Sequence, residues 1–141
     1  MSAYYMNEAS FDLPPAGFVD RTVTYLEGKA PSGAAVVLMV ERSPFPEGQS
    51  LRQAASAHVN DGKKRLRGYS LLFDRVSEIA GAPAIELGAR WRDDAGLVYS
   101  RQAHLVLGPT LLIVAGESPM EEQEFCDACV DHILATLRPC E

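Results

Sequence analysis

A run of seven consecutive apolar residues, 34–40 in the stretch "GAAVVLMVER", constrains the fold more than any other feature of this chain. The run has the length of a β-strand and falls far short of the ~20 apolar residues that a membrane-spanning helix needs. A strand with one face in water alternates apolar and polar residues, and this one does not. Both faces of the predicted strand therefore need cover, and the second covering layer has to be found.

Length and charge limit the class of protein. A chain of 141 residues fits one domain, spanning residues 1–141, with a core that needs no disulfides. A formal net charge of −6 argues against binding to nucleic acid or to anionic lipid. The start, "MSAYYMNEAS", lacks the basic and apolar regions of a secretory signal, and three cysteines, an odd number, fit a reducing compartment. We expect a cytoplasmic protein that does not insert into membranes.

Hydrophobic periodicity and turn residues predict two helices among several strands. Ser50 and Gln53 have capping-box spacing, which predicts a helix over residues 50–66. Ser118 and Pro119, with Glu121 at the capping-box position, predict a second helix over residues 118–137. The predicted strands cover residues 4–6, 10–13, 19–26, 34–42, 69–79, 84–92, 97–107 and 110–116.

This order of elements predicts an α+β fold built on a largely antiparallel, twisted sheet of about six to seven strands. Two helices are too few to cover both faces of so wide a sheet, so we expect both main helices on one face. The other face must then be polar or must contact something else.

Alternation within the strands predicts which side chains lie on the uncovered face. Ala103, Leu105 and Leu107 look core-facing, whereas the opposite face of the same strand carries Val98, Ser100, Gln102, His104 and Val106. In the strand over residues 34–42, Val37 and Met39 oppose an equally apolar set. The strand residues expected on the uncovered face are Val23, Tyr25, Val37, Met39, Ser100, Gln102 and His104. Contiguous exposed apolar surface usually marks an interaction site, although N-terminal residues, a loop or a second subunit could cover it instead.

Residues that could carry catalysis or bind metal form no convincing constellation. Cys126 and Cys129 lie about one turn apart on the last predicted helix, but with His132 they do not converge on one point, and a zinc site needs four ligands. Asp93 and Asp94 fall in "RDDAG", a turn sequence. The sequence has no GxSxG elbow, P-loop or dinucleotide fingerprint. We therefore expect neither an enzyme, a metal site nor a cofactor.

Several short motifs, taken in order, resemble the DcrB-related family over essentially the whole chain. The motifs are Asn7-Glu8, Phe11, Leu13-Pro14, Asp20-Arg21-Thr22-Val23, "PFPEG" at 44–48, "AGAPAIEL" at 80–87, Trp91 and Arg101-Gln102. The resemblance implies a PsbP/Mog-like sandwich. Without a signal peptide, the chain is most similar within that group to the effector-associated, or Eag-type, chaperones of type VI secretion systems.

Such chaperones are homodimers that hold the N-terminal transmembrane helices of PAAR or Rhs effectors in the cytoplasm before secretion. The resemblance thus implies a groove that binds effector helices, and Glu41 is expected at its rim because a carboxylate suits an apolar groove poorly. Cys126 and Cys129 are not part of the family pattern. The implied groove residues are Val23, Tyr25, Val37, Met39, Ser100, Gln102, His58 and His104.

Two other functions fit the same residues less well. A carrier of a small molecule or lipid could use the same concave sheet face. A metal- or thiol-dependent enzyme would need Cys126, Cys129 and a histidine to act together.

Overall fold

The computed structural model describes residues 3–5, 9–12, 14, 17 and 21–139. The first two strands form a separate antiparallel pair, and the other six form one sheet. In chain order the elements are β1 (Ala3–Tyr5), β2 (Ser10–Asp12), β3 (Val23–Lys29), β4 (Ala35–Pro44), α1 (Leu51–Arg65), β5 (Ser70–Ile79), β6 (Ala82–Asp93), β7 (Gly96–Leu107), β8 (Thr110–Pro119) and α2 (Gln123–Thr136).

The six-stranded sheet is antiparallel throughout and has the strand order β3-β4-β8-β7-β6-β5. Strands β5 to β8 follow one another as a meander, and β8 then pairs with β4, which precedes α1 in the chain. The predicted α+β class and largely antiparallel sheet are confirmed. Among the described residues, no helix is long and apolar enough to span a membrane.

The two helices lie on opposite faces of the sheet, which corrects the expectation that both cover one face. Ala55 and Val59 of α1 pack against Ile85 and Leu87 of β6. On the other side, Leu134 of α2 packs in a cluster with Ala103 and Leu105 of β7. We call these two sides the α1 face and the α2 face.

The strand register explains why alternation alone gave the wrong layering. Ile85 and Leu105 both look core-facing in the sequence, but Ile85 pairs with His104 and Leu105 pairs with Ala84. Paired residues lie on the same face of a sheet, so Ile85 and Leu105 point in opposite directions. The protein therefore has a hydrophobic cluster on each face.

The start of α1 is confirmed, but the start of α2 differs from the prediction. The backbone N–H of Gln53 donates to Ser50 Oγ (3.1 Å), and the backbone N–H of Ser50 donates to Gln53 Oε1 (2.8 Å), which completes the capping box. Ser118 and Pro119 instead end β8, where Ser118 pairs with Tyr99. Ser118 is buried, and its hydroxyl donates to the carbonyl of Pro119 rather than capping a helix. Sheet pairing and burial have overridden a local helix-start signal.

A cluster of charged residues around the buried Arg101 lies between β6, β7 and α2. Arg101 is 4% exposed and contacts Glu86 of β6 as well as Asp127 (3.4 Å) and Asp131 (2.8 Å) of α2. The hydroxyl of Tyr99 donates to Asp127 Oδ1 (2.6 Å). A buried charge is tolerated only when it is paired in this way, so the cluster fixes the position of α2 on the sheet.

Close packing of α2 depends on Gly116 of β8. A Cβ atom at Gly116 would lie 2.6 Å from Val130 Cγ2 and 3.0 Å from Cys126 Sγ, both on α2. The backbone of β8 and the helix can approach each other because glycine has no side chain.

On the α1 face, two histidines form part of the packing between helix and sheet. The rings of His58 and His104 meet edge to face, with centroids 5.1 Å apart. His104 has no exposed surface, and burial, followed by the nearby His58, lowers its pKa to about 3. His104 Nε2 donates to Gln102 Oε1 (3.1 Å), whereas Nδ1 has no hydrogen-bond partner among the described residues. His104 is therefore neutral in the folded protein.

We expect Gly116→Ala to destabilise the protein by about 1–3 kcal/mol, because the added methyl group overpacks the contact with α2. Gly28 in β3 is the matched control, since a Cβ atom there meets nothing within 4 Å. Gly28→Ala should stay within about 0.5 kcal/mol of the parent protein. Urea unfolding measures both changes. Equal stability of the two variants would contradict the assigned packing of α2.

We expect the free energy of unfolding to fall as the pH is lowered from about 6.5 to 5. The unfolded chain binds a proton at His104 below about pH 6.5, whereas the folded protein keeps this residue neutral down to about pH 3. The unfolded state thus holds more protons in this range, which lowers stability by up to about 1.4 kcal/mol per pH unit. His104→Gln should flatten this slope. An unchanged slope in this variant would contradict the buried, neutral state assigned to His104.

Candidate functional site

Part of the α1 face is not covered by α1 and forms an open groove. The helix lies over β6 and β7, whereas β3, β4 and β8 extend beyond it. The side chains of Val23 and Tyr25 on β3 are 54% and 55% exposed, and those of Val37 and Met39 on β4 are half-buried. We use "the groove" for this surface of β3, β4, β8 and the adjoining part of β7, with α1 as its wall.

The strand register arranges the groove in three parallel rows, each crossing four strands. The middle row runs Tyr25, Met39, Ala115 and Gln102. The outer rows are Val23, Glu41, Ile113 and His104, and Glu27, Val37, Glu117 and Ser100. All seven strand residues that the sequence predicted for the groove lie in these rows.

The dimensions of this surface suit an α-helix. Strands lie about 4.8 Å apart, so the three strands that extend beyond α1, β3, β4 and β8, span about 10 Å, and three rows span about 13 Å along the strands. A helix with its side chains is about 10–12 Å in diameter. One helix can therefore lie on these strands beside α1, in contact with all three rows.

Three neutral polar side chains follow one another along β7 at the inner side of the groove. Gln102 Nε2 donates to Ser100 Oγ (3.2 Å), and Gln102 Oε1 accepts from His104. Ser100 and His104 are buried, with 1% and 0% of their surface exposed, so neither can contact a bound partner directly. Gln102 is half-buried and lines a cavity beside α1. Ser100 and His104 thus hold the amide of Gln102 in place.

His58 lies on the α1 wall of the groove. It is half-buried, and burial lowers its pKa despite the opposing effects of Glu41 and Asp61. With His104 also neutral, the pair adds no positive charge to the groove at neutral pH. The structure therefore brings His58 together with the predicted strand residues, as part of the same surface.

A cavity of about 190 Å³ opens where the groove meets α1. The rings of Tyr69 and Trp91 form part of its wall and are nearly parallel, with an interplanar angle of 9° and centroids 6.3 Å apart. A Cβ atom at Gly62 would lie 2.8 Å from the Tyr69 ring, so the glycine inside α1 makes room for it. Sequence reasoning assigned neither aromatic residue to the groove, and Gly62 within a predicted helix was the available signal.

Two carboxylates also line this cavity. Glu41 was expected at the rim of the groove, but it is half-buried in the cavity wall together with Glu117. Burial raises the pKa of Glu117, and the nearby charge of Glu41 raises it further. The groove is therefore apolar in the middle row and acidic beside α1.

Cys126 and Cys129 lie on α2, away from the groove, and Cys140 lies outside the described residues. Cys126 is buried against the α2 face, and burial raises its pKa to about 11, which makes it a poor nucleophile. Cys129 is half-buried, and His132 is exposed. In the part of the chain that the structure describes, no group of three or more His, Cys, Asp or Glu residues is arranged to hold a metal ion.

Known structures share this architecture. PA94 from Pseudomonas aeruginosa, a protein described as of unknown function, has 19% identity and a TM-score of 0.84, with 100% of this chain and 98% of that chain covered. LpqN, described as involved in cell envelope biogenesis of Mycobacterium tuberculosis, has 13% identity and a TM-score of 0.62 over 89% and 80% of the two chains.

The cyanobacterial PsbP protein CyanoP from Synechocystis sp. PCC 6803 has 12% identity and a TM-score of 0.53 over 88% of this chain and 94% of that chain. These likenesses show the fold alone and confirm the expected PsbP-like architecture. A comparison with curated protein sequences gives no significant match.

The family model named DcrB matches residues 8–136, nearly the whole chain. This span includes all eight residues assigned to the groove. The chain is a member of the DcrB family.

Proposed function

We propose that this protein is a cytoplasmic chaperone of a type VI secretion effector, and that it shields the effector's N-terminal transmembrane helices before secretion. The observation that carries the proposal is the groove, an exposed apolar sheet surface beside α1 that has the width of one helix. The resemblance of the sequence to Eag-type chaperones supports the same function. By the same resemblance we propose that the protein acts as a homodimer.

Burial of apolar surface supplies the binding free energy in this proposal. A transmembrane helix in water exposes apolar side chains, and covering them is worth roughly 25 cal/mol per Å², or about 2.5 kcal/mol per 100 Å². Val23 and Tyr25 are more than half exposed in the free protein and can contribute apolar area to such a contact.

The neutral polar residues give the groove a second property that a transmembrane helix requires. Such helices pack through small residues and through hydrogen bonds from serine, threonine, asparagine and glutamine. Gln102 offers an amide whose orientation is fixed by Ser100 and His104. We propose that this amide replaces the polar contacts that effector helices make with one another in the membrane.

A carrier of a lipid or small molecule is the second candidate, because the cavity beside α1 has aromatic walls. Its volume of about 190 Å³ lies below the ~300–1,000 Å³ of typical ligand pockets. An open groove with a small cavity favours a helix over an enclosed lipid. A bound lipid detected by native mass spectrometry of the purified protein would favour the carrier.

Adjacent residues of β3 provide a matched test of the face used for binding. Tyr25 on the α1 face and Leu26 on the α2 face are 55% and 51% exposed. Tyr25→Asp should abolish co-purification of the effector segment, as should Val37→Asp and Met39→Asp, because each places a charge in the apolar groove. Leu26→Asp should retain the segment. Pull-down with circular dichroism as the folding control measures this. Retention by all three groove variants would rule this surface out.

Co-expression tests the chaperone activity itself. The probe is the N-terminal apolar segment of a PAAR or Rhs effector encoded beside this protein. We expect the segment to be soluble and stoichiometrically bound in the presence of this protein, and to aggregate without it, because its apolar surface is then exposed to water. Equal solubility in both cases would contradict the proposed function.

A further inference from the structure

Two carboxylates in the groove have no cationic partner among the residues that the structure describes. Glu41 on β4 and Glu117 on β8 lie on the α1 face and line the cavity beside α1. Neither forms an ion pair or hydrogen bond with another residue that the structure describes. By contrast, Glu86 on the opposite face contacts both Arg75 and Arg101. Both side chains are half-buried, and a nearby cation favours the charged form of a partly buried carboxylate, so a cation from outside the chain would be stabilised beside Glu41 and Glu117.

The two basic residues that line the same cavity do not neutralise these carboxylates. Arg65 also lines the cavity, but its guanidinium Nε donates to Asp61 Oδ2 (2.8 Å) and its side chain is 68% exposed. His58 faces the same cavity and is held neutral at pH 7 by burial. The lining of the cavity therefore keeps an excess of negative charge.

The remaining walls suit a long side chain with a charged end. Met39 and Ile113 provide apolar surface along the floor, and Tyr69 and Trp91 provide aromatic rings near the carboxylates. Lysine and arginine bury an apolar stem while their charged ends stay with polar groups, and both cations are attracted to aromatic rings. The lining thus offers apolar contacts for the stem of such a residue and carboxylates for its charged end.

We propose that Glu41 and Glu117 bind a lysine or arginine at the end of the helical segment that docks in the groove. This inference rests on the proposed function and adds the charge that the partner must carry. Transmembrane helices commonly have lysine and arginine close to their cytoplasmic ends, next to the apolar stretch. The groove then recognises both the apolar stretch and its basic flank, and an acidic flank is rejected by repulsion.

The test uses designed segments rather than a natural effector. One apolar segment of leucine, alanine, glycine and serine is fused to a soluble carrier protein, with lysine, glutamine or glutamate at one end and, in a second set, at the other. Each fusion is co-expressed with the full chain. At one of the two ends we expect the terminal residue to change retention, in the order lysine, glutamine, glutamate. The amount of fusion retained at low salt should be about fivefold higher with lysine than with glutamine. High salt should reduce this ratio.

The variant Glu41→Gln/Glu117→Gln should retain all three fusions equally, because it keeps the side-chain shapes and removes the charges. Its control, Glu78→Gln/Glu124→Gln, makes the same change in net charge at exposed positions outside the groove and should keep the order. If the parent protein retains all three fusions equally, or if the groove variant keeps the order, the charge proposal is overturned and the proposed function stands. If the parent protein retains none of them, the proposed function fails as well.

Discussion

Neighbouring residues of the central strand β7 face different helices, and this alternation organises the molecule. Leu105 packs in the cluster that includes Leu134 of α2, whereas the preceding residue, His104, meets His58 of α1. Because paired residues share a face of the sheet, the residues of β6 and β8 that pair with β7 alternate between the same two faces. With one helix on each side, neither face is fully covered. α2 covers β7 and β8, α1 covers β6 and β7, and the α1 face of β3 and β4 is left for the groove.

Polar residues on the two faces of β7 are stabilised by different interactions. On the α2 face, Arg101 is buried and its charge is balanced by carboxylates from β6 and α2. On the α1 face, Ser100, Gln102 and His104 are neutral, and hydrogen bonds link each of them to the next. The first arrangement fixes a helix of the protein itself. The second leaves a polar amide at the inner side of an apolar surface, which suits a helix supplied by another molecule.

Local patterns were sufficient for most elements but not for their layering. Capping residues placed α1 correctly, and alternation grouped Val37 and Met39 with Gln102 on one face. The side of the sheet on which each helix packs depends on the register between strands, which periodicity within one strand does not contain. The same limitation hid Glu117, Tyr69 and Trp91, because β8, the start of β5 and the end of β6 meet α1 only after the sheet has formed. The helix start predicted at Ser118 was wrong because pairing with Tyr99 outweighed a local capping signal.

The doubly apolar run in β4 follows from the position of this strand between two different coverings. Leu38 faces the α2 side, where it packs beside Gly116, and Val36 on the same side is 3% exposed. Val37 and Met39 face the groove, where the described residues leave them only half-buried. A strand that served only the core would need one apolar face, since a polar second face would cost nothing in water. The second apolar face of β4 therefore accords with the proposal that a partner buries this surface.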